Sequence, residues 1–441
     1  MKHRRISLAA ALLLLALCLS GCAMTVEEMY CLPIRSKGYN NLQTVMDPVM
    51  AGLEHAAPVS GENQQTVQMA DLDGDGTEEV IVFARGSDAH PLKLFVFRQE
   101  NGAYSLLTSL ESNGSDFDQV EYVQLDGAPG LELVVGCQVS DQVLRNVSAY
   151  RLSDGKLEQM MNASYRKFLI CDLDHDALGD LLVLTGGAEE TDSSIAVRYT
   201  MVNGVTERSA EAKLSCPVNQ LKRIMKGDLH GGQHAVFVAS TVDANTIVTD
   251  VFALVDGVLT NVSLSSEAGT SVKTLRNYYV YAEDIDQDGE MELPSLITMP
   301  NAAQRTGTGG EHLIRWYAMT ADGGEVDKMY TYHNYPEGWY MELDARTAHR
   351  IGVVSEGAGC YSFGLWDETG TELTQLWKID VLTGDDRSAV AAEEGRFVLL
   401  KTDTVVYAAR LEMGGRELGI TQEMLVDAFC LIQSAWYTGE M

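Results

Sequence analysis

The chain has 441 residues, of which 46% are hydrophobic, and this is more sequence than one hydrophobic core usually organises. Acidic residues outnumber basic residues by 63 to 32, which gives a formal net charge of −31 at pH 7. A surface this negative repels phosphate backbones and attracts cations, so the composition excludes nucleic acid as a partner.

The first 22 residues have the pattern of an export signal. Residues 1–5 are basic, and residues 6–19 form an apolar run that is too short to span a membrane comfortably. The run ends in Leu-Ser-Gly-Cys at 19–22, which resembles the lipobox of bacterial lipoproteins. That resemblance implies a signal peptide at 1–21 and a lipidated Cys22. The lipid would anchor the protein to the outer face of the cell membrane, or to the outer membrane if the cell has one. A plain secretory signal is the alternative.

Short helices are expected at both ends of the mature chain. Residues 22–60 are predicted to form a tether with a helix at Asn40–Leu53, where apolar residues recur at helical spacing. Residues 413–441 are predicted to contain a second helix at Thr421–Tyr437, which Thr421 can cap. Its apolar stripe would pack on the rest of the protein.

Between these ends, at about residues 61–412, a nine-residue acidic segment recurs about every 50 residues. Three copies are intact: Asp71–Glu79 (loop 1), Asp172–Asp180 (loop 3) and Asp284–Glu292 (loop 5). Three copies are weaker: Gln124–Glu132 (loop 2), Asp228–Val236 (loop 4) and Glu342–Arg350 (loop 6). Each copy adjoins an apolar run, and a possible seventh copy leads into Phe397–Leu400.

This period indicates a repeated β-structure. A unit of about 50 residues with short alternating strands matches one four-stranded propeller blade. Runs such as Leu92–Phe97, Ala196–Met201 and Val251–Val255 would supply strands, and the pairs Asp154-Gly155, Asn203-Gly204 and Asp256-Gly257 would supply hairpin turns. We therefore predict an all-β protein, a seven-bladed or alternatively six-bladed β-propeller with short flanking helices at both ends.

The intact loops carry carboxylates at positions 1, 3, 5 and 9. A hard divalent cation takes six to eight oxygen ligands, and side chains at alternate positions of a tight loop can converge on one point. Four carboxylates this close would repel one another without a cation. Glycine at position 6 permits the sharp turn in loops 1 and 5, whereas loop 3 has Ala177 there. An EF-hand is excluded, because these loops lead into strand-forming residues.

The pattern D-x-D-x-D-G-x-x-D/E before an apolar strand resembles the FG-GAP (VCBS) repeats of integrin-α-like β-propellers, over about residues 60–400. The resemblance implies up to three structural Ca²⁺ ions, bound by the side chains at positions 1, 3, 5 and 9 and by the backbone carbonyl at position 7. The implied ligands are Asp71, Asp73, Asp75, Thr77 and Glu79 in loop 1; Asp172, Asp174, Asp176, Leu178 and Asp180 in loop 3; and Asp284, Asp286, Asp288, Glu290 and Glu292 in loop 5. Loops 2, 4 and 6 are expected to hold no calcium.

Two further residue groups leave alternatives open. Five aromatic residues cluster at 329–341, and exposed rings there could bind a ligand, whereas buried rings would pack within the fold. They are Tyr330, Tyr332, Tyr335, Trp339 and Tyr340. The cysteines after Cys22 show no C-x-x-C spacing, so neither a zinc site nor a redox pair is indicated. Cys137 and Cys171 lie in or beside apolar runs, which favours buried free thiols over the disulfides that export permits.

The sequence thus favours a lipid-anchored, calcium-binding module on the cell surface that binds or scaffolds a protein or glycan. It contains no G-x-S-x-G nucleophile motif and no phosphate loop, and we predict no enzymatic activity. The alternatives are an exported enzyme that acts on polysaccharide from the central face of the propeller, and a structural part of an envelope assembly.

Overall fold

Short antiparallel strands account for most of the structure. It is a computed structural model that describes residues 37–432 except 140–144, 187–193, 203, 245, 279 and 301–311. The predicted signal peptide, Cys22 and the end of the predicted C-terminal helix lie outside these residues. Within the described residues, no helix is long and apolar enough to cross a membrane.

The described strands form six antiparallel sheets, each built from nearly consecutive segments of the chain. Sheet 1 contains β1 (Glu54–His55), β2 (Val67–Ala70), β3 (Glu79–Arg85), β4 (Leu92–Glu100) and β5 (Ala103–Ser112). Sheet 2 contains β6 (Asp116–Val123), β7 (Glu132–Gln138), β8 (Arg145–Ser153) and β9 (Lys156–Tyr165). Sheet 3 contains β10 (Lys167–Cys171), β11 (Asp180–Thr185), β12 (Ile195–Val202), β13 (Val205–Arg208) and β14 (Ala212–Lys213).

The remaining three sheets follow in chain order. Sheet 4 contains β15 (Leu221–Asp228), β16 (His234–Asp243), β17 (Thr246–Val255) and β18 (Val258–Asn261). Sheet 5 contains β19 (Glu292–Thr298), β20 (His312–Met319), β21 (Glu325–Asn334) and β22 (Trp339–Leu343). Sheet 6 contains β23 (Ile351–Gly357), β24 (Cys360–Trp366), β25 (Leu373–Leu382), β26 (Arg396–Lys401) and β27 (Val406–Leu411). A final strand, β28 (Phe429–Leu431), returns to sheet 5 and pairs with β22.

Helices are few and short in the described residues. The α-helices are α1 (Lys37–Val49), α2 (Arg387–Ala391), α3 (Met413–Glu417) and α4 (Gln422–Asp427). Single 3₁₀ turns occur at Val218–Gln220, Val272–Thr274, Tyr335–Glu337 and Ala348–Arg350.

Two of the predicted hairpin turns are confirmed. Asp154 and Gly155 have φ of 49° and 72°, and Asp256 and Gly257 have φ of 50° and 77°. Positive φ at both central residues is what a type I′ turn requires, and this turn matches the twist of the strands that it joins. The third predicted turn includes Asn203, which lies outside the described residues.

Successive sheets pack face to face in chain order, because their central strands bury both faces. In β3, Ile81 and Phe83 pack against sheet 2, whereas Val80 and Val82 face the other way. Equivalent buried clusters join sheets 2 and 3, 3 and 4, 4 and 5, and 5 and 6. Strands buried on both faces need continuous apolar runs, which is the pattern that follows each acidic loop in the sequence.

Helices cover the outer faces of the first and last sheets. Apolar residues of α1, including Val45 and Met46, pack against Val82 and Phe97 of sheet 1. At the other end, Ala391 of α2 packs against the β27 side of sheet 6. The helix predicted at 40–53 is therefore present, although it begins and ends a few residues earlier.

The all-β class is confirmed, and two finer predictions need correction. The run Phe397–Leu400, assigned to a possible seventh unit, lies in β26 and pairs with β27 in sheet 6. The helix predicted from Thr421 is capped by Thr421, whose hydroxyl accepts from the Met424 N–H, but it ends at Asp427. Phe429 continues as a strand because it pairs with Met341 and stacks on Trp339, with ring centroids 5.5 Å apart.

Candidate calcium loops

Loops 1 to 5 lie side by side at one edge of the stacked sheets, joined by a repeated hydrogen bond. In three cases the N–H of position 8 donates to the position 1 carbonyl of the preceding loop: Leu131 to Asp71, Gly179 to Gln124 and Met291 to Asp228, at 2.7–2.9 Å. Between loops 4 and 3, the His234 ring nitrogen Nδ1 donates to the Asp172 carbonyl at 2.6 Å. The five loops therefore form one continuous arc.

A second repeated bond closes each acidic loop on itself. The carboxylate at position 9 accepts from the N–H of position 2, as Glu79 does from Leu72 at 3.0 Å and Glu292 does from Ile285 at 3.0 Å. Asp180 and Glu132 make the same bond in loops 3 and 2. This bond turns one oxygen of the position 9 carboxylate inward, under the loop.

The position 1 carboxylate draws the tip of the loop around itself. Asp71 accepts from the N–H groups of Gly74 and Gly76, at 2.7 and 3.0 Å. Asp284 accepts from Asp288 and Gly289, at 3.0 and 3.1 Å. Asp172 accepts from Ala177 at 3.1 Å. The N–H of position 6 thus binds position 1 in all three intact loops, which orders the backbone before any cation arrives.

Loops 1, 3 and 5 share a backbone with positive φ at positions 4 and 6. In loop 1 these are Gly74 and Gly76, but in loop 3 they are His175 and Ala177, with φ of 59° and 66°. A left-handed conformation costs a non-glycine residue about 1–2 kcal/mol, so loop 3 carries strain at two positions. Such strain persists only where the surroundings impose the loop shape. Loop 2 has Pro129 at position 6, and proline cannot adopt positive φ.

Each intact loop brings carboxylate oxygens together. Oxygens from three side chains lie within 4.8 Å of one another in each of the three loops. The groups are Asp71, Asp73 and Glu79; Asp172, Asp174 and Asp176; and Asp284, Asp286 and Glu292. The predicted ligands at positions 1 and 3 are therefore brought together in every intact loop, with position 9 added in loops 1 and 5 and position 5 in loop 3.

Two carboxylate oxygens in these clusters are buried without a hydrogen-bond donor, as a cation ligand would be. Oδ1 of Asp172 and Oε1 of Glu292 are buried and make no hydrogen bond to any described residue. A buried carboxylate oxygen without a donor costs free energy, because it has lost its water and gained nothing. A hard cation is the partner that such an oxygen prefers, so the residues present fit a calcium ion in loops 3 and 5.

Basic side chains from neighbouring strands reach the same loops. Arg98 binds Asp73 and lies 3.3 Å from Glu79, and Arg198 binds Asp174 and lies 2.7 Å from Asp180. Lys328 instead binds Asp288 and Glu290. Loop 5 consequently keeps its three clustered carboxylates clear of these ion pairs, which makes it the best-formed site of the three.

The aspartates at position 5 hold the tips of the loops in shape. Asp75 accepts from the Thr77 N–H, Asp176 from the Leu178 N–H, and Asp288 from the Glu290 N–H, all between 2.7 and 2.9 Å. The Glu290 side chain leaves the site, because it accepts from the Gly231 N–H of loop 4 and pairs with Lys328. Burial alone would raise the pKa of Glu290, but these partners lower it to about 2.

Burial, with repulsion between carboxylates as a smaller contribution in loops 1 and 5, raises the pKa values of acids in these loops. Burial, with the charges of Asp286 and Asp288 added, raises the pKa of Glu292 to about 7. Burial and the charge of Asp288 also raise the pKa of Asp286 above its ordinary value. Burial raises the pKa of Glu79 and of Asp180 despite their arginine partners. A bound divalent cation would reverse this trend, because it favours the charged form of each carboxyl.

Loop 2 shows how the same shape is held without a cation. Gln124 replaces the position 1 aspartate, and its Oε1 accepts from the Gly127 N–H at 2.9 Å. Its amide nitrogen donates to the carbonyls of Ala128 and Gly130, at 2.5 and 2.8 Å. Gly130 is position 7, whose carbonyl is the backbone ligand implied in the intact loops. An amide N–H₂ group therefore binds the position 7 carbonyl, which is the backbone oxygen that a cation would bind.

Loops 4 and 6 lack an acidic cluster of this kind among the described residues. Loop 4 is a short hairpin closed by the Leu229 N–H and the Gln233 carbonyl, at 2.8 Å. Loop 6 differs in position as well, since it joins β22 of sheet 5 to β23 of sheet 6. Its Asp344 is paired with Arg346, which stands at position 5.

The aromatic cluster is mostly part of the core. Tyr332 and Trp339 are buried between sheets 5 and 6, and so cannot offer rings to a ligand. Tyr330, Tyr335 and Tyr340 are partly exposed but pack against buried residues. The hydroxyl of Tyr330 donates to Asp327 at 2.8 Å. A binding role for these three remains a prediction.

Five cysteines are free in the described part of the chain: Cys137, Cys171, Cys216, Cys360 and Cys430. Cys137 is buried and Cys171 partly exposed, and burial raises the pKa of both thiols to about 12. Neither is therefore a reactive thiolate at neutral pH.

Comparison with protein-family models gives no match, and comparison with curated proteins gives none. Solved structures do match. A rhamnogalacturonan lyase matches with TM-score 0.28 and 11% identity over 73% of this chain and 74% of that chain. A rhamnogalacturonan lyase of Bacillus licheniformis matches with TM-score 0.26 and 10% identity, over 70% and 71%. A protein from Lactobacillus plantarum matches with TM-score 0.25 and 9% identity, over 72% and 85%. TM-scores this low carry no argument about fold or activity.

Proposed function

We propose that this protein is a β-propeller of the FG-GAP (VCBS) kind in which structural calcium ions hold loops 1, 3 and 5. It is exported, anchored to the membrane through lipid on Cys22, and serves at the cell surface as a binding or scaffold module for a protein or glycan. Calcium has a structural role in this proposal, and no catalytic residue is assigned.

The observation that carries the calcium proposal is the contrast between loop 2 and loop 5. Both loops have the same position 9 bond, but in loop 2 the Gln124 amide donates to the backbone carbonyls of Ala128 and Gly130. Loop 5 has Asp284 at the position of Gln124, and Oε1 of Glu292 is buried without a donor. Loop 2 thus supplies hydrogen-bond donors from its own side chain, and in loop 5 a calcium ion would take their place.

Calcium suits these loops better than magnesium or zinc. All of the candidate ligands are oxygens, whereas zinc prefers nitrogen and sulfur ligands. Carboxylates and a backbone carbonyl in a flexible loop provide the large, irregular oxygen shell that calcium accepts, whereas magnesium demands near-ideal octahedral geometry and keeps several waters.

The stacking of the sheets supports the propeller arrangement. Each of the first five sheets packs its far face on the next sheet of the chain, and the acidic loops of sheets 1 to 5 share one edge. A ring of blades meets both conditions. Closure of the ring would require sheet 6 to meet sheet 1. The outer face of sheet 1 carries α1, and that of sheet 6 carries α2. A crystal structure with bound calcium would test this closure directly.

Calcium removal tests the structural role of the ion. Because calcium binds the folded state and not the unfolded one, chelation should lower the melting temperature, and added calcium should restore it. Asp73→Ala should reproduce part of the loss by removing one ligand from loop 1. Asp256→Asn is the matched control, since Asp256 lies in an exposed hairpin turn where asparagine tolerates positive φ. A melting curve that excess chelator leaves unchanged would contradict the proposal.

A further inference from the structure

A cleft of about 410 Å³ opens between sheets 1 and 2, within the size range of small-molecule sites. It lies at the opposite end of these sheets from loops 1 and 2. Loop 2 joins β6 to β7, whereas the cleft is lined by Asn113 and Gly114, which join β5 to β6 at the other end of β6. Its lining therefore shares no residue with the acidic loops.

One wall of the cleft is a network of amides and a hydroxyl on sheet 2. Ser148 is buried, and its Oγ accepts from Gln159 at 3.0 Å and from Asn162 at 2.8 Å. The Oδ1 of Asn162 accepts from Asn146 at 3.0 Å. Each amide has two N–H donors and an oxygen with two acceptor sites, and this network uses one N–H of each. The amides are thus fixed in orientation and keep hydrogen-bonding capacity toward the cleft.

The floor of the cleft is apolar and partly aromatic. Leu92, Phe117 and Val135 come from the buried cluster between the two sheets, and Tyr150 lies beside the amides. An apolar floor with a few fixed polar groups is the usual composition of a ligand site. Rings such as Tyr150 offer a flat face to C–H groups and a hydroxyl to polar groups.

The charges around the cleft select against an ionic ligand. Among the described residues, the lining includes no lysine or arginine; it includes His90 and one carboxylate, Glu111, which lies 2.9 Å from Nζ of Lys93. A strongly acidic protein with no lysine or arginine among these lining residues would repel sugar acids and phosphates. The cleft therefore fits a neutral ligand that has many hydroxyl groups and an apolar face.

We propose that this cleft binds a neutral saccharide, with Asn146, Gln159 and Asn162 on its hydroxyl groups and the partly exposed Tyr150 against its apolar face. This inference rests on the proposed role as a binding module and makes it specific. It does not depend on calcium, because none of its residues belongs to the acidic loops.

Titration of the purified protein with four neutral disaccharides tests the proposal, with cellobiose, xylobiose, mannobiose and galactobiose as probes and digalacturonate as the anionic comparator. We expect at least one neutral disaccharide to bind by calorimetry or saturation-transfer NMR, and digalacturonate to bind at least tenfold more weakly. Gln159→Ala combined with Asn162→Ala should weaken binding at least tenfold, because two hydrogen-bonding side chains are lost. Both residues are exposed on β9, so the fold should persist.

The matched control is Ser105→Ala combined with Ser109→Ala, two exposed changes on β5 outside the cleft. It should bind the disaccharide as the unmodified protein does. If none of the four disaccharides binds, or if the Gln159–Asn162 variant binds as well as the control, the proposal is overturned. Calcium-dependent melting measured on the same samples separates this result from failure of the calcium loops.

Discussion

Glu292 and Glu132 stand at position 9 of loops 5 and 2 and form a matched pair for substitution by glutamine. Both are buried, at 0% and 1% exposure, and both accept from a backbone N–H that a glutamine oxygen could also accept from. Burial raises the pKa of each carboxyl to about 7. The surroundings of the two carboxyls differ. In loop 2 the Gln124 amide binds the backbone carbonyls, whereas in loop 5 Glu292 lies in a cluster with two aspartates.

The magnitude follows from the pKa change. A rise from 4.5 to about 7 corresponds to at most about 3 kcal/mol, at about 1.4 kcal/mol per pKa unit. Since the folded-state pKa is the higher one, this carboxyl stabilises the fold below pH 4.5, and the contribution is lost as pH rises toward 7. In calcium-free buffer at pH 8, each glutamine variant should therefore gain about 1–3 kcal/mol in the free energy of unfolding. The gain should fade by pH 4.5.

Calcium should separate the two variants. An ion present at a hundredfold excess over its Kd stabilises the folded state by about 2.7 kcal/mol per site. Glu292→Gln removes a ligand, so calcium in loop 5 should no longer raise its free energy of unfolding. In calcium buffer this variant should therefore be no more stable than the unmodified protein. Glu132→Gln should remain more stable than the unmodified protein, and calcium should raise its free energy of unfolding by the full amount.

Denaturant unfolding with and without calcium at pH 8 and pH 5 measures these differences, and calorimetric titration counts the sites. Glu292→Gln should bind one calcium ion fewer than Glu132→Gln. If the two variants bind the same number of ions and show the same calcium increment, the reasoning from loop geometry is refuted.

Four further substitutions test the loop architecture. Gln124→Ala should lower the free energy of unfolding by about 1–2 kcal/mol in denaturant titrations, equally with and without calcium, because its amide joins the Ala128 and Gly130 carbonyls. Gly74→Ala should lower the melting temperature much more than Gly76→Ala. Both have positive φ, but a Cβ at 74 would lie 2.5 Å from the Gly130 nitrogen, whereas one at 76 meets nothing within 4 Å. Ala177→Gly should raise the free energy of unfolding by about 1 kcal/mol with unchanged calcium stoichiometry, because it relieves a φ of 66°; a destabilised variant would contradict the strain argument.

The clusters in the acidic loops could be predicted from sequence because their geometry is local. Positions 1, 3 and 9 lie within nine residues, so the turn alone brings Asp284, Asp286 and Glu292 together. The run of apolar residues after each loop likewise predicts a strand buried on both faces, as β3 and β11 are. Spacing along the chain was sufficient in both cases.

The basic partners could not be predicted in the same way. Arg98, Arg198 and Lys328 come from other strands, between 18 and 40 residues from the carboxylates that they bind. Nothing in the loop sequence specifies them. One signal could have been used: β4, β8 and β12 each contain an arginine that binds position 3 of the loop in its own sheet, namely Arg98, Arg151 and Arg198.

The C-terminal segment shows why periodicity can mislead. Apolar residues at helical spacing continue through Phe429 and Leu431, yet the helix ends at Asp427. The edge of β22 offers backbone hydrogen bonds to β28. In this extended conformation Phe429 also stacks its ring against Trp339. A local pattern cannot reveal that a strand edge from nearly 90 residues earlier will be available.

The arc of loops would let three calcium-filled loops order all five. In loops 2, 3 and 5, the position 8 N–H lies between the position 7 carbonyl and the position 9 carboxylate, and it donates to the position 1 carbonyl of the preceding loop. Fixing one loop therefore fixes the first ligand residue of its neighbour. Loops 2 and 4 need no ion of their own in such an arc, provided that their links are complete. Loop 2 is joined to its neighbours by the Leu131 N–H on Asp71 and the Gly179 N–H on Gln124. Loop 4 is joined to its neighbours by the His234 ring on Asp172 and the Met291 N–H on Asp228.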